Sequence, residues 1–310
     1  MNPAAITWGD TSAGLVVWPE RGRVLQGYAG GHSIFWTATS TDGWNVGGER
    51  LWLGPEAAWF WRRAGSVDIA DHEVQAAMDP GTWRVAGATS ESWRAEQDAT
   101  VRRLADGAAF RVRGHRNWSI FAPSRGAGFG YRTTTELEVE GPAGQPISLW
   151  TLAQVPAGGL AMVSTAGTAP IRSYFGPFPD GAIAQQRGLI RMTVSGKRRW
   201  KAGVGPDVAT GRMAYVRPVQ GGALMLMREF SVDPSLPYPD APAHADGQGD
   251  AVQVFIDDGT YGGFGELEHH GAPGVTCEGT TRLFEEFDTT IAYIAGDDWE
   301  DEVTHLLDHV

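Results

Sequence analysis

Four things are scarce in this sequence, and each scarcity narrows the field. A single cysteine, Cys277, in 310 residues excludes a disulfide-stapled scaffold and any cluster of thiolate metal ligands. No run approaches the ~18 uninterrupted apolar residues that a membrane-spanning helix requires. Cations are outnumbered, with 25 Lys and Arg against 37 Asp and Glu and a formal charge of −12. Nucleic acid, which binds by exchanging counterions for basic side chains, is therefore not an expected partner. Helical periodicity is almost missing. The opening stretch, MNPAAITWGD, has no basic segment followed by an apolar one, which argues against a secretory signal and for a cytoplasmic protein.

What is abundant points the other way. The chain carries 42 Gly, 18 Pro, 13 Trp, 12 Phe and 7 Tyr. Glycine at about twice its usual ~7% without a Gly-X-Y period is not collagen, and the aromatic content supplies enough apolar surface to offset the entropy of ordering. Periodicity is two almost everywhere: around Gly14–Val17, Arg23–Tyr28, Trp83–Ala86, Ala99–Leu104, Ala109–Gly114 and Thr133–Glu140. In the last of these Glu136, Glu138 and Glu140 alternate with Leu137 and Val139. Short runs of this kind separated by Gly, Pro, Asp and Asn predict an all-β sandwich or barrel. Two longer loops are expected at Pro170–Pro179 and Val232–Asp250. Pattern resumes on both sides of each, so one domain over residues 1–310 is expected. The exception is the tail, about 298–310, where Asp298 can cap a helix with Trp299, Val303, Leu306 and Val310 on one face.

Two constellations carry candidate chemistry. Trp36, Trp44, Trp52, Trp59 and Trp61 are interleaved with Asn45, Arg50 and Glu56. A buried indole N–H needs a partner, and tryptophan beside Arg, Glu and Asn is the usual lining of a sugar site, where rings stack on the C–H face and charged groups bind hydroxyls. Filling of a wide core is the competing use of the same rings. The second constellation is Phe264–Pro273, in which Glu266, Glu268 and His270 share one face of a strand while Leu267 and His269 share the other. Clustered carboxylates in a concave site push one pKa upward and create a general base for near-neutral pH. A solvated outer strand face is the alternative. Glu-x-Glu-x-His also offers metal ligands, but no second ligand cluster accompanies it, so no metal or other cofactor is assigned.

The remaining signals are weaker. Lys197-Arg198-Arg199-Trp200-Lys201 reads as a solvated hairpin edge guarded by charge rather than a phosphate patch. Gly262–Gly265 lacks the Lys-Ser/Thr ending of a phosphate cradle, and no Gly-x-Ser-x-Gly elbow is present. His72 is expected in a loop at the cleft mouth, His115 on or just past a strand, and His32 equally as a turn residue or a ligand; His244, His305 and His309 receive no role.

These residues also carry a resemblance. Gly47-Gly48-Glu49-Arg50-Leu51-Trp52-Leu53-Gly54-Pro55-Glu56 resembles a Gly-Gly-(Asp/Glu)-Arg-hydrophobic-Trp-x-x-Pro-Glu segment of bacterial proteins related to the aldose 1-epimerase (galactose mutarotase) superfamily. Ile147–Pro156 resembles their central strand, and Gly265–Pro273 the late strand that carries the catalytic glutamate. The resemblance implies a large antiparallel β-supersandwich whose concave face binds a small-molecule carbohydrate, with no membrane or nucleic-acid partner. It implies Glu268 as general base and Arg50 as a sugar-holding group. Glu266 and His270 would act as helpers or acid, and Trp52, Glu56, Trp150, Gln154 and His72 would complete the binding set. Mutarotases take their acid from a histidine in the central strand; here Ser148–Gln154 contains none, and Trp150 stands about where it would be. Indole has only a non-titrating N–H, so the proton would have to come from His72, His115 or His270. An epimerase or related isomerase is the expected function. A non-catalytic sugar-binding protein and a lyase or hydrolase of small oligosaccharides are the alternatives, since a fold does not transmit a function.

Overall fold

Strict alternation in Thr133–Glu140 does what period-two patterning dictates. Within the strand Ala127–Glu140, Leu137 and Val139 are buried, while Glu136, Glu138 and Glu140 face outward among Arg113, His115 and Arg282. The structure, a computed structural model, describes residues 6–308 apart from 41–42, 64, 67, 124–126, 143, 145, 187, 244 and 246. Ala127–Glu140 sits near the middle of an eleven-stranded antiparallel sheet. Its spatial order is Ile183–Gln186, Leu189–Val194, Gly159–Thr165, Ala209–Val219, Gly222–Phe230, Thr280–Ala295, Ala127–Glu140, Ala109–Phe121, Ser92–Arg102 and Arg84–Ala88, with the short Val275–Cys277 paired beside Thr280–Ala295.

A second, six-stranded antiparallel sheet runs in the order Ile171–Ser173, Trp200–Val204, Val252–Ile256, Phe264–His270, Ser148–Pro156 and Glu49–Gly54. A four-stranded sheet, Ile6–Gly9, Ala13–Trp18, Arg23–Ala29 and His32–Ser33, lies N-terminal to both. One contiguous apolar core reaches from Trp8 to Ile291 and draws on all three sheets. In the large sheet Ser92–Arg102, Ala109–Phe121 and Thr280–Ala295 alternate buried and exposed residues because one face there meets solvent. The six-stranded sheet does not: Glu49–Gly54 and Phe264–His270 are buried at every position, the signature of a sheet covered on both faces. Phe264–His270 is therefore not a solvated outer strand. Its register places Glu268 opposite Leu152 on one side and Gln253 on the other.

Two local expectations change. Pro170–Pro179 is not all loop, since Ile171–Ser173 pairs with Trp200–Val204 as the sheet's edge. The charged hairpin edge expected at Lys197–Lys201 ends sooner than its charge suggests: every residue of Trp200–Val204 is buried. Lys201 leaves the solvent because its ammonium finds two carboxylates inside. The tail is a helix over Trp299–Asp308, entered where Glu302 N donates to Asp298 O at 3.3 Å. It buries Val303 and Leu307 against Met162, Met225 and Ile294 on the outside of the large sheet, with Trp299 and Leu306 packed beside them. His244, His309 and Val310 lie outside the described residues. Among the described residues no helix is long and apolar enough to cross a membrane.

Candidate active site

The site grows from residues that stand on one face of the six-stranded sheet. Arg50 is delivered by Gly47-Gly48, whose φ angles are 93° and 77°. A Cβ there would meet the Trp36 carbonyl oxygen at 2.1 Å and the Val24 carbonyl oxygen at 2.3 Å, so only glycine lets the chain pass and enter the strand. Trp52, two residues on, shares the Arg50 face; Trp150 lies opposite it in register, and His270 opposite Trp150. Glu56 begins a one-turn helix, Glu56–Trp59, and is fixed by its own backbone N–H, which donates to Asp240 Oδ1 at 2.6 Å.

Together these elements wall a narrow cavity of about 60 Å³ that opens to solvent. Its lining is aromatic, with Trp44, Trp52, Trp61, Trp150, Phe175, Phe255, Tyr261 and Phe264. Its floor is charged, with Arg50, Glu56, His72, Lys201, Glu266 and Glu268, and the half-buried Arg199 also lines the cavity.

Lys201 organises the floor. Its Nζ lies 2.7 Å from Glu56 Oε2 and 2.9 Å from Glu268 Oε2, and 4.6 Å from the centre of the Trp150 ring. Burial works against the ammonium, but Glu268, Glu56 and Asp240 overcome that and raise its pKa. One cation thus serves two carboxylates, and the two respond in opposite directions. Burial also opposes ionisation of Glu56, yet Lys201 and His72, with the Lys201 and Trp61 hydrogen bonds, hold its pKa below the ordinary value. Glu268 is pushed up to about 8, by burial first and then by the charges of Glu266 and Glu56, with Lys201 opposing. Such a split of neighbouring carboxyls is the usual electrostatic preparation for acid–base work. Among the described residues both close polar contacts of Glu268 fall on Oε2, the Trp150 indole donating at 2.8 Å and Lys201 at 2.9 Å. Oε1 is left for the cavity.

Arg50 anchors the other end. It ion-pairs with Glu266, donates to Asn45 Oδ1 at 3.3 Å, and lies 4.3 Å and 5.0 Å from the Trp52 and Trp44 ring centres. Gln154 donates to Glu266 Oε1 at 3.0 Å and to Asn45 Oδ1 at 2.9 Å. Behind them Asp79 accepts from the Trp52 indole at 3.0 Å and pairs with buried Arg23.

No family model matches the chain, and no curated protein matches it. Solved structures do. A putative aldose 1-epimerase from Escherichia coli K12 superposes with a TM-score of 0.56 at 12% identity, covering 94% of this chain and 99% of the other. A galactose mutarotase-like protein from Lactobacillus casei gives 0.54 at 9% identity over 94% and 100%, and an aldose epimerase homologue from C. elegans 0.52 at 10% over 95% and 99%. The chain has the galactose mutarotase-like fold.

On this mutarotase-like sheet the residues singled out in the sequence separate into two groups. Arg50, Trp52, Glu56, His72, Trp150, Glu266 and Glu268 line the cavity. Gln154 and His270 do not. Gln154 supports Glu266 from behind, and His270 stacks on Trp150 at 5.5 Å with its Nδ1 3.3 Å from Ser148 Oγ. Burial drives the His270 pKa well down, so it is a neutral ring behind the wall. His115 faces Glu136 on the large sheet and takes no part. His72 reaches the cavity with Nε2 4.0 Å from Glu56 Oε1, and burial lowers its pKa as well. Of the clustered tryptophans, Trp44, Trp52 and Trp61 line the cavity, whereas Trp59 packs on Phe110 in the core and Trp36 on Phe264. Lys201, Arg199, Tyr261 and Asp240 were missed. The alternation Arg199, Lys201 on one face of a strand whose Trp200 points the other way was the available signal. Among the described residues no set of three His, Cys, Asp or Glu side chains is arranged to hold a metal ion; the floor carboxylates are bridged by Lys201 and Arg50 instead.

Proposed function

We propose that this protein interconverts the anomers of a sugar, as an aldose 1-epimerase-type isomerase, with Glu268 as the group that takes and returns the anomeric proton. The observation that carries the reading is the Glu268 carboxyl itself. It is 1% exposed, held by Trp150 and Lys201 through one oxygen, and titrates near neutrality at the floor of an aromatic cavity. A carboxyl in that range accepts a proton and gives it back with little penalty in either direction.

In the ring-opening half-reaction Glu268 Oε1 takes the proton of the anomeric hydroxyl. The C1–O1 bond becomes a carbonyl, the C1–O5 bond breaks with its electron pair on the ring oxygen, and that oxygen takes a proton. Lys201 supplies it: two carboxylates hold its proton tightly and raise its pKa, but its charge stabilises the negative charge developing on the ring oxygen, and the alkoxide left by C1–O5 cleavage is basic enough to take the proton. Rotation about C1–C2 and reversal of both transfers give the other anomer with all protons returned. The central-strand histidine that the resemblance calls for is thus replaced in function by a lysine from a different strand. Arg50 and Glu266 form the fork for ring hydroxyls, and the half-buried Trp44 and Tyr261 rings offer surface for the C–H side of the ring, whereas Trp52 and Trp150 are covered by Arg50 and Phe60 and by Lys201 and His270.

Proton NMR exchange spectroscopy on free aldoses and uronic acids tests this. Accelerated anomer exchange with wild-type protein is the expected result. Sugar binding without exchange would overturn the isomerase reading in favour of a binding protein on the same fold.

A further inference from the structure

We propose that the sugar carries an anionic substituent, a carboxylate or a phosphate, and that Arg199 receives it. This rests on the reading of the cavity as a sugar site. Three basic side chains line that cavity, and two already have carboxylate partners: Arg50 in Glu266, Lys201 in Glu56 and Glu268. Arg199 is different. It is half-buried, and among the described residues no carboxylate lies within ion-pairing distance of it; its close contact is the Phe175 ring, 5.9 Å from the guanidinium carbon. The nearby acids make other hydrogen bonds, although Arg199 acts on Asp258 through space and Asp257 Oδ1 has no hydrogen-bond partner. Asp258 accepts from Thr260 N at 3.1 Å and from Thr260 Oγ1, and Asp257 Oδ2 accepts from the backbone N–H groups of Gly259, Tyr261 and Gly263 at 3.0, 3.0 and 2.8 Å. Burial lowers the pKa of His72, the other titratable group near it.

A partly desolvated guanidinium whose attraction to Asp258 acts only beyond ion-pairing distance keeps its donors for an anion arriving with the ligand. Geometry fits the same occupant. Arg199 and Lys201 stand two residues apart on one side of the chain entering Trp200–Val204, about 6–7 Å along it, which is comparable with the breadth of one hexose ring. A ring whose anomeric end rests on Glu268 and Lys201 therefore presents a far substituent to Arg199. Phe175, Phe255 and Tyr261 surround that end of the cavity, lowering the local dielectric and strengthening a forked Arg–carboxylate or Arg–phosphate contact.

The test compares neutral hexoses, hexuronic acids and hexose 6-phosphates in the anomer-exchange assay, with ligand-observed NMR titrations in parallel, on wild type, Arg199→Gln and Arg199→Lys. The expected result is kcat/KM at least tenfold higher for one anionic class than for the neutral hexoses. Arg199→Gln should shrink that ratio ten- to a hundredfold and Arg199→Lys less, since ammonium keeps the charge and loses the fork. Whichever class shows the ratio identifies carboxylate or phosphate. Equal rates for neutral and anionic sugars, with a ratio that Arg199→Gln leaves unmoved, would overturn the proposal and leave the isomerase reading standing. Arg199-dependent binding of an anionic sugar without exchange would uphold the proposal and overturn the isomerase reading. Absence of both binding and exchange for every class would overturn both.

Discussion

The Trp150 indole N–H donates to Glu268 Oε2 at 2.8 Å, across two neighbouring strands whose register sets Trp150 opposite His270 and one pleat from Glu268. Trp150 thus stands where the resemblance to mutarotases places an acid, yet it serves the base. Lys201 opposes the burial that pushes Glu268 toward about 8, and because a hydrogen bond to a carboxylate oxygen favours the ionised form, the Trp150 donor acts in the same direction as Lys201. Replacing Trp150 with Phe removes one of those two donors and keeps most of the ring surface. The pH at which anomer exchange reaches half its alkaline maximum, near 8 in wild type, should move up by roughly one unit, equivalent to about 1.4 kcal/mol. An unchanged midpoint would separate Trp150 from the titrating group.

Glu268→Gln keeps the shape of the floor and removes the proton acceptor. Exchange should fall by about 10²- to 10⁴-fold, the usual contribution of a general base, while sugar binding measured by titration persists. Thermal stability carries an independent signature. The Glu268 pKa is raised from 4.5 to about 8, so its favourable contribution is full below the unfolded value and is lost as pH rises through the folded one. The melting temperature of wild type should therefore decline more between pH 5 and 9 than that of Glu268→Gln. Parallel curves would show that Glu268 does not titrate in that window.

Lys201→Met leaves Glu56 and Glu268 buried around a neutral side chain. Breaking a buried ion pair from one side costs about 3–5 kcal/mol, and the cost should depend on pH with a definite sign. In wild type Lys201 helps hold Glu56 below its ordinary pKa, so that group stabilises the fold above the unfolded value and stops doing so as pH falls. Without the ammonium both carboxyls prefer to stay protonated, and their ionisation works against folding as pH rises. The gap in melting temperature between wild type and Lys201→Met should widen from pH 5 to pH 8. A constant gap would indicate lost packing alone.

How much of this was legible in the sequence depends on how far each residue's partners lie along the chain. Glu266, Glu268 and His270 share a face because strands alternate, and that follows from seven consecutive residues. Whether the face is wet or dry does not, because it is set by strands brought in from Ser148–Pro156 and Val252–Ile256. Lys201 is the sharpest case. Inside Lys197–Lys201 it looks like one more surface cation, and only the approach of Glu56 and Glu268 from distant segments makes its burial affordable. His270 fails in the other direction. Periodicity puts it in line with Glu268, but Trp150 stacks over it at 5.5 Å and closes it off from the cavity, a packing detail that alternation does not encode.

Arg50→Lys tests the far end of the floor, where a fork rather than a charge is needed. The guanidinium pairs with Glu266, donates to Asn45 Oδ1 at 3.3 Å, stands 3.9 Å from Asp79 Oδ2 and stacks on Trp44 and Trp52. An ammonium at the same place reaches one of these partners and stacks on neither ring in the same way. Glu266, whose pKa burial already raises and Arg50 holds down, would lose its bidentate-capable partner and shift further toward the neutral acid. KM for the sugar should rise about tenfold or more, with a smaller change in kcat because Arg50 lies away from the Glu268–Lys201 proton path. A loss confined to kcat would place Arg50 at the reacting atoms instead and require the sugar to lie the other way round on the sheet.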